Sequence, residues 1–137
     1  MNQQFNWEDF LGVANILYGS EKFREACLRS AISRAYYSVF GITKEYAIKM
    51  GFSPKKTGVD HKELREFLIK KAEALRSSDK TISVKLVRIA NNIKTLHNLR
   101  KNADYDILFP NDIVIKTKNA IKEAEIIIRF FQNAVIP

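Results

Sequence analysis

The chain has 137 residues, which suits one hydrophobic core and leaves little room for two. With 46 % hydrophobic residues, five glycines and three prolines, the composition excludes a disordered or low-complexity chain and favours helices. The formal net charge of +8 suggests an anionic partner, whether nucleic acid, nucleotide, acidic protein or membrane surface, and by itself names none of them.

Asn6 is placed to cap a first helix running to about Tyr18, with Glu8 and Asp9 in its first turn where acids favour the helix dipole. Its expected apolar stripe is Phe10, Val13, Ala14 and Leu17. Gly19-Ser20 breaks it, and Ser20 is placed to cap a long second helix from about Glu21 to Lys49. One face of that helix reads Phe23, Cys27, Ser30, Arg34, Tyr37 and Gly41, with Ala31, Ala35, Val39 and Ile42 beside it. Small residues at helical spacing admit a close neighbour, so this helix is expected at the centre of a bundle.

Met50 to Val59 reads as the longest loop, with Lys55-Lys56 exposed. Asp60 followed by Glu63 resembles a capping box opening a third helix to about Arg76, with Leu64, Phe67, Leu68 and Leu75 inward. Ser77-Ser78-Asp79 forms a turn and cap. A fourth helix from about Lys80 to Ala103 carries the stripe Ile82, Leu86, Ile89, Ile93 and Leu96. Pro110 and Asn111 mark the next boundary, and a last helix from about Asp112 to Ala134 presents Ile113, Ile121, Ala124, Ile127, Ile128 and Phe131. No strand alternation or repeat is evident. The expectation is one all-α domain over residues 1–137, an up-and-down bundle of four to five helices.

The single cysteine, Cys27, cannot form an internal disulfide and is expected to pack as a small apolar residue in a reducing compartment. No Cys/His spacing suggests a zinc site, and nothing suggests a cofactor. The polar start Met1-Asn2-Gln3-Gln4 lacks an apolar signal core, and no apolar run is long enough to span a bilayer, so a cytoplasmic location is expected.

Between Asp79 and Asp104 there is no acid, while Lys80, Lys85, Arg88, Lys94, Arg100 and Lys101 fall in that stretch. Such a helix either contacts phosphates or presents a solvated face balanced by acids elsewhere. Arg100 continues the apolar stripe four positions after Leu96, so it requires a carboxylate, phosphate or carbonyl partner. It either pairs internally with Asp104 one turn on, or serves as a phosphate ligand at a cleft or dimer seam. Arg34, one turn before Tyr37, poses the same choice between a buried ion pair, for example with Asp104, and a second phosphate ligand beside an aromatic. His61, at a helix start, and His97, on the basic helix, are the only histidines. The helix dipole is expected to lower the pKa of His61. Neither has an evident nucleophile partner, which argues against a hydrolase triad.

Three strings together resemble the HEPN family. Phe23 to Phe40, FREACLRSAISRAYYSVF, is similar to the second helix of the branch with an "SRAYY" core. Asp60-His61-Lys62 resembles its short His-Lys helix start, and Leu99 to Asp106, LRKNADYD, resembles its "R-K-x-A-D-Y" motif. The resemblance spans nearly the whole chain. It implies a small helical bundle that dimerises with its motif at the seam. It further implies a toxin or defence role, often beside a nucleotidyltransferase-like antitoxin, and in many members metal-independent endoribonuclease activity.

In that chemistry an Arg stabilises phosphorane charge and a His just over one turn later moves protons. Arg100 matches the Arg, but no His follows it, and Tyr105 stands about where the His would be. A phenol, with a pKa near ~10, is a poor base at neutral pH. The resemblance therefore carries over only Arg100; on the ribonuclease reading Arg100 clamps phosphate with help from Arg34, Asp104 orients it, and Tyr105 donates a hydrogen bond or stacks on a base. Arg34, Tyr37, His61, Lys94, Lys101 and Asn102 are candidate RNA or nucleotide contacts. The alternatives are a non-catalytic module binding nucleotide, RNA or a partner protein at the same cleft, and a purely structural bundle.

Overall fold

The computed structural model describes residues 4–109 and 112–137. Within them the chain forms five helices and no strand: α1 (Asp9–Gly19), α2 (Arg24–Lys49), α3 (Asp60–Leu75), α4 (Lys80–Tyr105) and α5 (Ile113–Asn133). The expected boundary at Pro110–Asn111 and the start of the Met1–Gln4 stretch lie outside the described residues.

Helix α2 packs against all four others, most extensively α5 and α1, and α3 lies along α4. Its central place follows from its small residues: Ala31, Ala35 and Gly41 are buried together with Leu28, Ile32, Tyr36, Val39 and Ile42. Gly41 is required for a specific reason. The Trp7 indole lies directly on it, and a Cβ there would overlap the ring at Cδ2, Cγ and Cε3. The stripe on α4 is buried as expected at Leu86, Ile89, Ile93 and Leu96, as are Ile121, Ala124, Ile127, Ile128 and Phe131 on α5. On α1 the expected stripe is rotated: Leu11 and Ala14 are buried, while Val13 is exposed. The face drawn on α2 is rotated too, leaving Phe23 and Ser30 exposed and Leu28 and Ile32 inside.

Helix ends show where local chemistry prevailed. Asn6 accepts from the Glu8 backbone N–H at 3.1 Å just before α1. Ser20 does not cap α2: its hydroxyl donates to the Lys22 carbonyl at 3.3 Å, and the helix begins later, after Phe23 in a left-handed conformation at φ 51°. Arg24 instead donates to the Tyr18 and Ser20 carbonyls, closing the end of α1. Helix α2 stops in a Schellman arrangement. Gly51, at φ 110°, bonds back to Ile48 at 3.1 Å, and Phe52 bonds to Ala47 at 2.9 Å. Phe52 is buried against Ala47 and Leu64 there.

Asp60 and Glu63 do not form a capping box. The buried Asp60 carboxylate accepts from the backbone N–H groups of Lys55 at 2.8 Å and Lys56 at 2.9 Å, and from Lys44 Nζ at 3.5 Å, so it organises the preceding loop. Glu63 pairs with Lys55 Nζ at 2.8 Å. Asp79 does cap α4, accepting from Ile82 N–H at 3.1 Å. At the other end, α4 runs through Tyr105, beyond the expected stop at Ala103. Arg29 of α2 closes it by donating to the carbonyls of Ala103 at 3.2 Å, Asp106 at 2.6 Å and Ile107 at 3.4 Å. None of the described helices is long and apolar enough to cross a membrane.

Candidate anion site at the junction of helices α2, α3 and α4

Helices α2, α3 and α4 converge on a cluster of aromatic and cationic side chains. Helix α4 contributes His97, Arg100, Asp104 and Tyr105 from successive turns. Helix α3 contributes His61 and Arg65, one turn apart, and α2 contributes Ser33, Tyr36 and Tyr37.

Arg100 extends the buried stripe of α4 and is itself only 8 % exposed. Its Nη1 meets Asp104 Oδ2 at 3.3 Å, so the internal pair forms. The same Asp104 oxygen accepts from Ser33 Oγ at 3.3 Å. The guanidinium carbon lies 5.8 Å from the Tyr36 ring centroid, 5.4 Å from Tyr37 and 6.0 Å from Tyr105, an aromatic cradle for the cation. Its Nε is buried and has no hydrogen-bond partner among the described residues. A single carboxylate thus leaves part of the guanidinium's donor capacity unused.

Beside Arg100 the two histidines lie ring on ring, with centroids 4.7 Å apart and planes 9° from parallel. His61 is also stacked on Phe40 at 4.2 Å, and Tyr36 faces His97 at 5.1 Å. The fully buried Tyr36 places its hydroxyl 2.5 Å from His61 Nδ1. Arg65 Nη1 donates to the His61 carbonyl at 3.1 Å and to His97 Nδ1 at 3.4 Å.

These surroundings keep both imidazoles neutral. Burial, then the neighbouring His61 and the cations Arg100, Arg65 and Lys101, hold His97 down to about 4. Burial and the Arg100 and Arg65 charges also lower the His61 pKa, against the opposing pull of Asp60. The direction expected for His61 holds, but burial and cations dominate rather than the helix dipole. Burial pushes the Tyr36 phenol up, so it stays protonated.

Arg100, Asp104, Tyr105, Tyr37 and His61 therefore meet in one place, with Tyr105 largely exposed at its edge. Lys101 is exposed and close enough to His97 to act on its charge. Arg34 makes no ion pair with Asp104. It is half-buried over Phe10, 4.7 Å from the ring centroid, and over Tyr37 at 5.4 Å, and donates to Ser33 Oγ at 3.4 Å. Ser33 takes the place beside Asp104 because its short side chain reaches the carboxylate directly. Lys94 lies outside the cluster, lining a groove of about 210 Å³ between α3 and α4 with Lys62, Arg65, Glu66 and Asn91. Asn102 faces elsewhere, into a groove of about 470 Å³ between α4 and α5 with Asn92, Asn98, Lys116, Asn119 and Glu123.

The pairing of the two histidines, and the parts of Tyr36, Ser33 and Arg65, lie beyond the expectations drawn from the sequence. The available signal was spacing: His97 precedes Arg100 by three positions and His61 precedes Arg65 by four, so each pair shares a helix face. Among the described residues no group of three or more His, Cys, Asp or Glu is arranged to hold a metal ion.

Fold and site together define a class: a bundle of five helices among the described residues, with a cluster of hydrogen-bond donors and cations at one three-helix junction. Compared with family models, curated proteins and solved structures, the chain matches none.

Proposed function

We propose that this chain is an HEPN-type, RNA-directed protein of a prokaryotic toxin or defence system, and that the cleft around Arg100 takes an RNA phosphate. The observation that carries this reading is the buried Arg100. It is fixed by one carboxylate and cradled by three tyrosine rings, and two neutral imidazoles and a second guanidinium stand around it. Such a group of donors suits an oxyanion, and exposed Tyr105 and half-buried Tyr37 suit stacking on a base. The net charge of +8 supports attraction to a polyanion. The family resemblance adds a homodimer and a nucleotidyltransferase-like antitoxin partner to this reading.

A second reading, metal-independent endoribonuclease activity, is favoured by His61 and His97 lying beside Arg100 although no His follows Arg100 in the chain. The test incubates the protein with total RNA and tRNA in EDTA, follows binding by fluorescence anisotropy at two salt concentrations, and resolves products on a sequencing gel. Arg100→Lys keeps the charge and loses the planar fork, and Arg100→Ala loses both. Binding weakened in the order wild type, Lys, Ala supports the phosphate site. Discrete fragments with 2′,3′-cyclic phosphate ends, absent in both variants, add the nuclease. Equal RNA affinity for all three folded proteins overturns the reading.

A further inference from the structure

We infer that His61 and His97 are both held as the tautomer protonated at Nε2, and that their two Nε2–H groups form with Arg100 an all-donor receptor for a phosphate group. The inference deepens the phosphate-binding reading and rests on it for the kind of molecule that brings the phosphate.

A neutral imidazole carries one hydrogen, and the partner of one nitrogen decides where it sits. His97 Nδ1 faces Arg65 Nη1 at 3.4 Å, and a guanidinium can only donate. His97 Nδ1 must therefore be the acceptor, which leaves the hydrogen on Nε2. His61 Nδ1 faces the Tyr36 hydroxyl at 2.5 Å. That hydroxyl belongs to a fully buried side chain with no other hydrogen-bond partner among the described residues. If the phenol accepted instead, its own hydrogen would be buried without a partner, at substantial cost. It therefore donates, and His61 too carries its hydrogen on Nε2.

The outward-facing atoms complete the picture. Neither Nε2 makes a hydrogen bond among the described residues, and neither is among the buried polar atoms lacking a partner, so each keeps some exposure to solvent. Arg100 uses Nη1 on Asp104 and has a buried, unpartnered Nε. The charged groups around the rings are Arg65, Arg100, Lys44 and Lys101 against Asp60, so a cationic excess surrounds two neutral donors. Among the described residues the only carboxylate bonded to Arg100 is Asp104, which Ser33 also engages. What such a receptor lacks is acceptors, and a phosphate group supplies them. A general base needs a free lone pair, and at both rings the lone pair is already taken at Nδ1. The histidines are thus phosphate ligands rather than proton acceptors, and in the nuclease reading their part is to stabilise charge on the phosphate.

The test is long-range proton–nitrogen NMR of the two imidazoles in the whole chain at neutral pH, followed by titration with inorganic phosphate. Both rings are expected to show a protonated Nε2 and a bare Nδ1, with both Nε2 signals moving on phosphate addition. His97→Phe keeps a flat ring and removes the donor, and should weaken phosphate binding by about tenfold. His97→Gln, which returns an N–H, should recover most of that loss. A ring protonated at Nδ1, or phosphate that moves neither ring, overturns the inference.

Parallel titrations with a nucleoside 5′-monophosphate and with a dinucleoside monophosphate distinguish a terminal phosphate from an internal diester, since the Nε2 signals will respond to the one that fits. The RNA reading is judged separately by anisotropy. RNA binding that depends on Arg100 with rings protonated at Nδ1 sinks only the receptor. Phosphate held at Nε2 without RNA binding sinks only the RNA.

Discussion

Tyr36 and His61 form a buried polar contact between α2 and α3, hydroxyl to Nδ1 at 2.5 Å, within a stack that also contains Phe40 and His97. Tyr36→Phe keeps the ring and deletes the donor. It should cost about 1 kcal/mol in chemical denaturation, the usual net worth of a buried hydrogen bond. It should also release His61 to exchange between tautomers. Unchanged stability together with an unchanged His61 nitrogen spectrum would show that the contact does not hold the ring.

The Arg100–Asp104 pair is asymmetric, and its two halves should not be equivalent. The Arg100 side chain is 10 % exposed and that of Asp104 29 %. Removing Asp104 strands a guanidinium in a dry place, whereas removing Arg100 leaves a carboxylate that water and Ser33 can still satisfy. Asp104→Ala is therefore expected to cost roughly 2–3 kcal/mol and Arg100→Met about 1 kcal/mol or less. Denaturation of the two single variants and the double variant measures this, and equal costs would contradict the geometry.

Stability should fall on mild acidification. His97 is held at about 4 in the folded chain against an ordinary value of 6.5, so the unfolded chain binds more protons between those limits. The contribution is fully present above pH ~6.5 and is lost as pH falls through ~4. For a half-buried ring, after allowance for solvent screening, it amounts to on the order of 1 kcal/mol. His61, lowered in the same direction, adds to the effect. His97→Phe should flatten the stability profile over that window. A wild-type profile that is already flat there would contradict the assignment.

Gly41 receives the indole of Trp7, and Trp7 in turn packs with Phe5 and Phe10 at centroid distances of 5.1 and 5.8 Å. In Gly41→Ala the new methyl meets the rigid indole at Cδ2, Cγ and Cε3 rather than a flexible tip, so the N-terminal segment must move. The expected cost is about 1–3 kcal/mol, less a fraction recovered from better helix propensity. The only tryptophan reports it directly: its emission should shift to longer wavelength as the ring becomes solvated. A more stable variant with unchanged emission would mean that the contact is dispensable.

Most of the helices were legible from periodicity alone. The α4 stripe from Leu86 to Leu96 predicted both the buried face and the burial of Arg100, because a side chain four positions further must point the same way. Asp79 was readable as a cap because capping is a contact over three residues. Where the reading slipped, a competing tertiary contact had prevailed. Asp60 turned from its own helix to the loop amides of Lys55 and Lys56, Ser20 lost its capping role to a turn at Phe23, and Arg34 found aromatic faces at Phe10 and Tyr37 instead of a carboxylate.

By itself, then, the sequence determined the helical class, the basic charge and the buried face of α4, and offered the pairing of Arg100 with Asp104 as one of two alternatives. All of these depend on neighbours within one or two turns of a single helix. The meeting of His61 with His97, the bond from Tyr36 to His61 and the reach of Arg65 to His97 were decided only when α2, α3 and α4 packed together. Which ring nitrogen accepts a hydrogen bond depends on a donor from another turn or another helix, and the helical period carries no information about the rotation and offset of one helix against its neighbour.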